Sequence, residues 1–276
     1  MPLTALAPIA ARSSILLCSS LIATSAYLAG CAGSASGEEV GSTQQAMEDE
    51  NGLTMNGLAM NGLAMNGLAM NGLAMNGLTM NGLMQTSDIA STLDSDPLAQ
   101  MFMKYVVSCA LPTGQNVVFP TLAGQTNYTF LGGLGIAPQW GADDGASCDV
   151  TCQQWISACA ISRVNALGQH VPLSERGNNP GLALAAGEAT LYPNREATYF
   201  GNVFTAPQMR YACRTAGRSA SGRRRPCGNG ADVSTCAITV LGDCNSVCST
   251  HNADGSYSSC ATPSGTFVPA VTVYRM

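Results

Sequence analysis

Metal-ligand clusters and catalytic signatures are what this sequence has least of. Its 276 residues include two histidines, His170 and His251, and no Cys-x-x-Cys pair. A structural zinc site needs cysteines and histidines at close spacing, so none is expected. Lysine is nearly missing as well: Lys104 stands alone against eleven arginines. The chain has no Gly-x-Ser-x-Gly elbow, no His-Glu-x-x-His, no Walker loop and no Ser-x-x-Lys. No recognised hydrolase or nucleotide-binding motif therefore stands out, and no cofactor is expected. Long uninterrupted apolar runs are absent too, none reaching the ~20 residues of a spanning helix.

What is present begins with an export pattern. Arg12 is the one charge in residues 1–30 and precedes Ile15, Leu16, Leu17, Cys18, Leu21, Ile22 and Ala23. A positive n-region, a short apolar core and small residues at the end describe a secretory signal. The segment closes on Leu28-Ala29-Gly30-Cys31, which resembles the lipobox of bacterial lipoprotein precursors. The resemblance covers residues 1–31 and departs from the pattern in its n-region, which has one Arg and no Lys. It implies cleavage before Cys31, a diacylglycerol on the Cys31 thiol and an acylated new N-terminus. Several acyl chains make a stable membrane anchor where one is marginal. Ala32 and Gly33 follow Cys31, without the Asp that retains many such proteins at the inner membrane. The expected location is a bacterial envelope, at the outer membrane or cell surface.

Residues 31–96 hold eight acids and no Lys or Arg, whereas residues 97–276 hold nine acids and eleven bases. Such an asymmetry marks two regions of different physics. Residues 31–50 have the Gly, Ser and Glu composition of a solvated linker. Asn-Gly-Leu-Xaa-Met then repeats from Asn51, Asn56, Asn61, Asn66, Asn71 and Asn76, with a shortened copy at Asn81. A period of five places successive leucines about 140° apart on a helix and on alternating faces of a strand. The segment resembles the pentapeptide-repeat family in its period, which would imply a four-sided β-solenoid. It carries Asn, however, where that family has a small residue, and too few copies to bury a solenoid core. Met55, Met60, Met65, Met70, Met75, Met80 and Met84 offer thioethers of the kind that selects Cu(I), but no His or Cys lies near them. The reading is a disordered tether over 51–84, continued by a linker over 85–95.

From residue 96 to 276 the pattern becomes that of a cysteine-rich globular domain. Asp96-Pro97 starts a helix along which Leu98, Met101, Phe102, Tyr105, Val106 and Cys109 recur at helical spacing. Asn116–Phe119 and Thr126–Phe130 read as strands. A second helix is expected from about Asp149 to Leu167, with Cys148, Cys152, Trp155 and Cys159 on one stripe. Strand candidates follow at 171–173, 199–204, 211–213, 237–241 and 268–274, with a short helix within 182–191. The expected fold is α+β, a disulfide-rich single domain with two helices and several short antiparallel strands.

The disulfide candidates are Cys109, Cys148, Cys152, Cys159, Cys213, Cys227, Cys236, Cys244, Cys248 and Cys260. An even count in an exported chain points to complete pairing rather than to a metal. Connectivity stays open, with one condition: if Cys148 lies inside the helix, it and Cys152 pair elsewhere. Helical i, i+4 Cβ atoms are ~5–6 Å apart, against the ~3.8 Å of a disulfide.

Two charge groups could carry chemistry. Glu175, Glu188 and Glu196 could supply paired carboxylates for glycan cleavage, although nothing in the sequence sets two of them at a working distance. Arg210, Arg214, Arg218, Arg223, Arg224 and Arg225 crowd beside Cys213 and Cys227. They read as a solvated, disulfide-anchored loop or as a grip on the phosphates of an anionic envelope polymer. Asn252-Ala253-Asp254-Gly255 lacks the flanking acids of a calcium loop and reads as a turn. Asn127-Tyr128-Thr129 has the form of a glycosylation sequon inside a strand. The expected role is therefore a lipid-anchored binding or structural module, held to the membrane through Cys31, with no specific nucleic acid as partner. An extracellular hydrolase is the alternative. Hydrogen exchange at the amides of residues 51–84 is expected to be fast, and strong protection there would indicate the solenoid instead.

Overall fold

The computed structural model describes residues 87–120, 127–141, 147–164, 171–218 and 238–276. Cys31, the repeats, Arg223–Arg225, Cys227 and Cys236 lie outside these residues. The described chain contains both helices and sheet, as an α+β fold requires. It has five helices rather than two: beside the long pair and the short helix expected within 182–191, two more short ones escape a periodicity search. The short helices are α1 (Ser87–Ser95), α4 (Glu188–Leu191) and α5 (Cys244–Val247), beside the long α2 (Pro97–Ala110) and α3 (Val150–Arg163). Helix α1 also corrects the linker assigned to 85–95, since Ile89 and Leu93 are buried in the main core. Single turns of helix with two or so apolar positions give no periodic signal to read.

The strands are β1 (Asn116–Pro120), β2 (Asn127–Leu131), β3 (Ser174–Arg176), β4 (Asn194–Asn202), β5 (Met209–Arg214), β6 (Thr239–Asp243), β7 (Ser259–Ala261) and β8 (Phe267–Arg275). β1 and β2 form an antiparallel hairpin with Phe119 and Phe130 edge-to-face at 5.6 Å. The other six form one sheet in the order β3-β8-β4-β5-β6, with β7 joined to β8. One pairing departs from the antiparallel expectation: β5 and β6 run parallel. The intervening chain is long enough for the crossover that a parallel pair needs.

β4 and β8 make the middle of the sheet, and both are buried along most of their length. Alternation assigns their side chains to two faces. Ala197, Tyr199, Val271 and Val273 meet α3 and α2 in the larger core, while Phe200, Ala270 and Val268 meet Cys213, Tyr257 and Cys260 on the opposite face. A bulge between Arg195 and Ala197 accommodates Glu196 without disturbing this alternation beyond it. Thr198 and Thr272, opposite each other on the second face, share a hydroxyl hydrogen bond at 3.0 Å.

Helix α3 starts where Asp149 caps it, its carboxylate accepting from the Cys152 backbone N–H at 2.8 Å. Cys148 therefore lies outside the helix, and it bonds directly to Cys152. The condition on this pair is not met, and the i, i+4 exclusion does not apply. Cys109–Cys159 joins α2 to α3. Beyond the sheet, Cys213–Cys244 and Cys248–Cys260 tie β5, α5 and β7 together. These last two bonds touch, with Cys213 and Cys248 sulfurs 3.4 Å apart. Cys213, Cys244 and Cys248 thus crowd within 4.8 Å of one another, but each sulfur is already spent in a covalent bond. The chain-entropy relation makes loop length decisive. Removing Cys109–Cys159, whose partners are 50 residues apart, should cost about 4 kcal/mol of stability. Removing Cys148–Cys152, 4 residues apart, should cost about 2 kcal/mol, and urea melts of the two double-alanine variants measure the difference.

Candidate functional site

The shielded charges of the domain fall into two groups. The first is closed on itself. Arg163, near the end of α3, donates to both oxygens of Glu175 on β3, with a 2.9 Å bond to Oε2. It also reaches Ser108 of α2 at 3.0 Å, while the Ser162 hydroxyl donates to Glu175. Arg163 and Glu175 thereby lock three elements at a point with almost no exposure. Breaking such a pair from one side costs about 3–5 kcal/mol, because the other charge is left buried alone.

The remaining candidate acids are likewise committed. Glu188 accepts from the Ala185 backbone N–H at 2.9 Å, closing the turn before α4. Glu196 faces Arg275 at 3.5 Å on the β4 bulge. None of the three carboxylates is held as a free group. The 252–255 segment is the turn its sequence indicates. Asp254 accepts from both the N–H and the hydroxyl of Ser256, and Asn252 bonds Ser256 and Ser258. Asn127 to Thr129 lie within β2.

The second group is only half-buried, and it lies on β5. Arg210 and Arg214 share a face of that strand with Ala212, four residues spanning about 13 Å of extended chain. Ala212 belongs to the core on the α3 side, which fixes the face. Across the pairing with β4, Arg210 sits opposite Gly201 and Arg214 opposite Ala197. Small neighbours leave room for guanidinium groups to lie down over the sheet. Helix α3 packs over β4 and β8, so the β5 flank is where its cover ends.

Here the hydrogen-bond account does not close. Arg210 Nη1, Arg214 Nε and Gln208 Nε2 are buried donors without a hydrogen-bond acceptor. Arg214 Nε does lie 3.3 Å from Asp243 Oδ1, an ion pair without hydrogen-bond geometry. Arg210 has no such counter-charge among the described residues, and burial lowers its pKa from the usual arginine value. Buried donors are otherwise almost always paired, so three on one stretch of seven residues is a concentration that calls for a cause.

The sequence reading assigned these arginines to a loop. Arg210 and Arg214 instead belong to a strand, whereas Arg218 lies in the exposed turn that follows. Met-Arg-Tyr-Ala-Cys-Arg alternates over too few positions, and both of its faces are half-buried, so polarity gives no clear strand signal. Gln208 carried no signal at all. Gly201 is the least replaceable neighbour: its φ is +138°, and a Cβ there would stand 2.1 Å from the Met209 carbonyl oxygen. Gly201→Ala should cost about 1–3 kcal/mol in a thermal melt and push Arg210 out of place.

No family model, no curated protein and no solved structure matches this chain. Among the described residues no helix is long and apolar enough to cross a membrane.

Proposed function

We propose that this protein is a lipid-anchored module of a bacterial envelope that binds an anionic polymer through the arginine face of β5. The observation that carries the binding half is Arg210, a half-buried cation whose shielded Nη1 has no acceptor and no counter-charge among the described residues. Burying an uncompensated charge costs stability. The chain keeps this one beside a second arginine on the same face, which suits an external oxyanion better than it suits packing. The row is linear, so it favours a chain of repeated anions over a single small one.

Support for the address comes from Leu28-Ala29-Gly30-Cys31 and from the four disulfides of the described residues, which fit an oxidising compartment. The acidic repeat between Cys31 and α1 then serves as a tether of ~40–50 Å r.m.s. if it behaves as a random coil. A net charge of −8 over residues 31–96 keeps the tether from attracting the same anionic polymer. The hydrolase reading has less support, since Glu175, Glu188 and Glu196 each serve a structural partner.

Two measurements test the two halves separately. Metabolic labelling with palmitate should mark the wild-type chain and not Cys31→Ser, and label retained by the variant removes the anchor. Retention of the full chain on phosphocellulose should fall with salt, and Arg210→Ala/Arg214→Ala should elute at clearly lower salt. Unchanged elution of the double variant removes the binding face.

A further inference from the structure

The four disulfides of the described residues are not alike. Cys109–Cys159 and Cys148–Cys152 each join two sulfurs, and neither belongs to a group of three ligand atoms among the described residues. Cys213–Cys244 and Cys248–Cys260 instead bring four sulfurs to one place. The sulfurs of Cys213 and Cys248 stand 3.4 Å apart across the two bonds. Cys213, Cys244 and Cys248 all lie within 4.8 Å of one another, and Cys260 adjoins them through its bond to Cys248.

That spacing is close to a tetrahedron of thiolates around zinc. A Zn–S distance of about 2.3 Å sets the sulfurs of such a site about 3.8 Å apart. The contact between Cys213 and Cys248 is already on that scale, so only the two bonded pairs need to open once reduced. The ligand pattern also suits the ion. Cys244 and Cys248 form a Cys-x3-Cys pair on the turn of α5, where the Cys248 N–H donates to the Cys244 carbonyl at 2.8 Å. Cys213 comes from β5 and Cys260 from β7, so the ligands converge from three elements. Phe200, Tyr257, Val268 and Ala270 pack around the group and keep it dry. Cys248 alone of the four is half-buried, which leaves one side open to a reductant and an ion. Four thiolates in tetrahedral array select zinc over calcium or magnesium.

We propose that Cys213, Cys244, Cys248 and Cys260 form a redox-gated zinc site, two disulfides when oxidised and one tetrathiolate when both bonds are reduced. Each bond takes two electrons and two protons from an external dithiol, which closes to its own disulfide. Zinc then binds four thiolates, and four protons leave. The site is independent of the arginine face and of the anion-binding role.

The test reduces the full chain with dithiothreitol, desalts it under argon and titrates it with Co2+ and then Zn2+. One cobalt per chain is expected, with the visible bands of a tetrahedral tetrathiolate, displaced by one equivalent of zinc. Cys213→Ser, Cys244→Ser, Cys248→Ser and Cys260→Ser should each weaken zinc by more than about ten-fold, the scale on which even an outer-shell partner acts. Cys109→Ser/Cys159→Ser and Cys148→Ser/Cys152→Ser should keep both bands and affinity. Substitution can also unfold the chain, so alkylation of the reduced wild type is read beside affinity. Added zinc should slow iodoacetamide at the four cluster cysteines and leave the rates at Cys109, Cys148, Cys152 and Cys159 unchanged. Protection of a different set, or tetrathiolate bands that survive Cys213→Ser/Cys248→Ser, would overturn the site. Zinc held equally well by the oxidised chain would place the ion elsewhere and overturn it too. So would a reduced wild type that binds no ion, folded or not, because metal binding at such a site supplies folding energy of its own.

Discussion

The antiparallel pairing of β4 with β8 is the constraint on which the other parts of this domain depend. Both strands are covered on two faces, so their sequences place large side chains alternately toward α3 and toward the disulfide cluster. Tyr199 goes one way and Phe200 the other. The strand pair therefore fixes where the helical layer sits and where the cystines sit. It also decides what is left over. With α3 centred on β4 and β8, the adjacent strand β5 is only partly roofed, and its arginines occupy the margin between core and solvent.

Around that pair the domain solves its polar burial in two different ways. On the β3 side every charge has been answered: Arg163 with Glu175 and Ser108, and Arg176 with Ser174, the Tyr192 carbonyl and the Tyr274 ring at 3.6 Å. These groups link elements distant in sequence, and they act as polar staples alongside Cys109–Cys159. On the β5 side the account is left incomplete at Gln208, Arg210 and Arg214. A protein that satisfies one flank so fully shows that the means to do so were at hand. That contrast is what supports the proposal that the unpaired donors serve a binding surface. Gly201 supports it from below, since its missing Cβ is needed for β4 and β5 to approach opposite Arg210.

Much of the fold was legible in the residues. The helical spacing of Phe102, Tyr105, Val106 and Cys109, the β1–β2 hairpin and the positions of β4, β5, β6 and β8 follow from periodicity and turn chemistry. The short helix within 182–191 was legible, but Ser87–Ser95 and Cys244–Val247 were not, the latter because four residues hold a turn only through their disulfides and neighbours. Strand β3 was displaced by a few residues from its predicted place. Ser-Glu-Arg looks like surface, and only the distant partners Arg163 and Tyr192 make it core. The same blindness hid the candidate site. A half-buried arginine reads as a surface arginine until its surroundings are known, and the Cys148–Cys152 bond turned on where the helix starts.

The central claim is that Arg210 has a buried donor reserved for an oxyanion from outside the chain. The most direct measurement is arginine side-chain nitrogen NMR on the full chain, assigning the Arg210 guanidinium and titrating in a phosphodiester oligomer. The account predicts that the Arg210 resonances shift saturably and that their exchange with water slows, while those of Arg163 stay fixed. Arg210 resonances unmoved at saturating oligomer, or moving no more than those of Arg163, would contradict it.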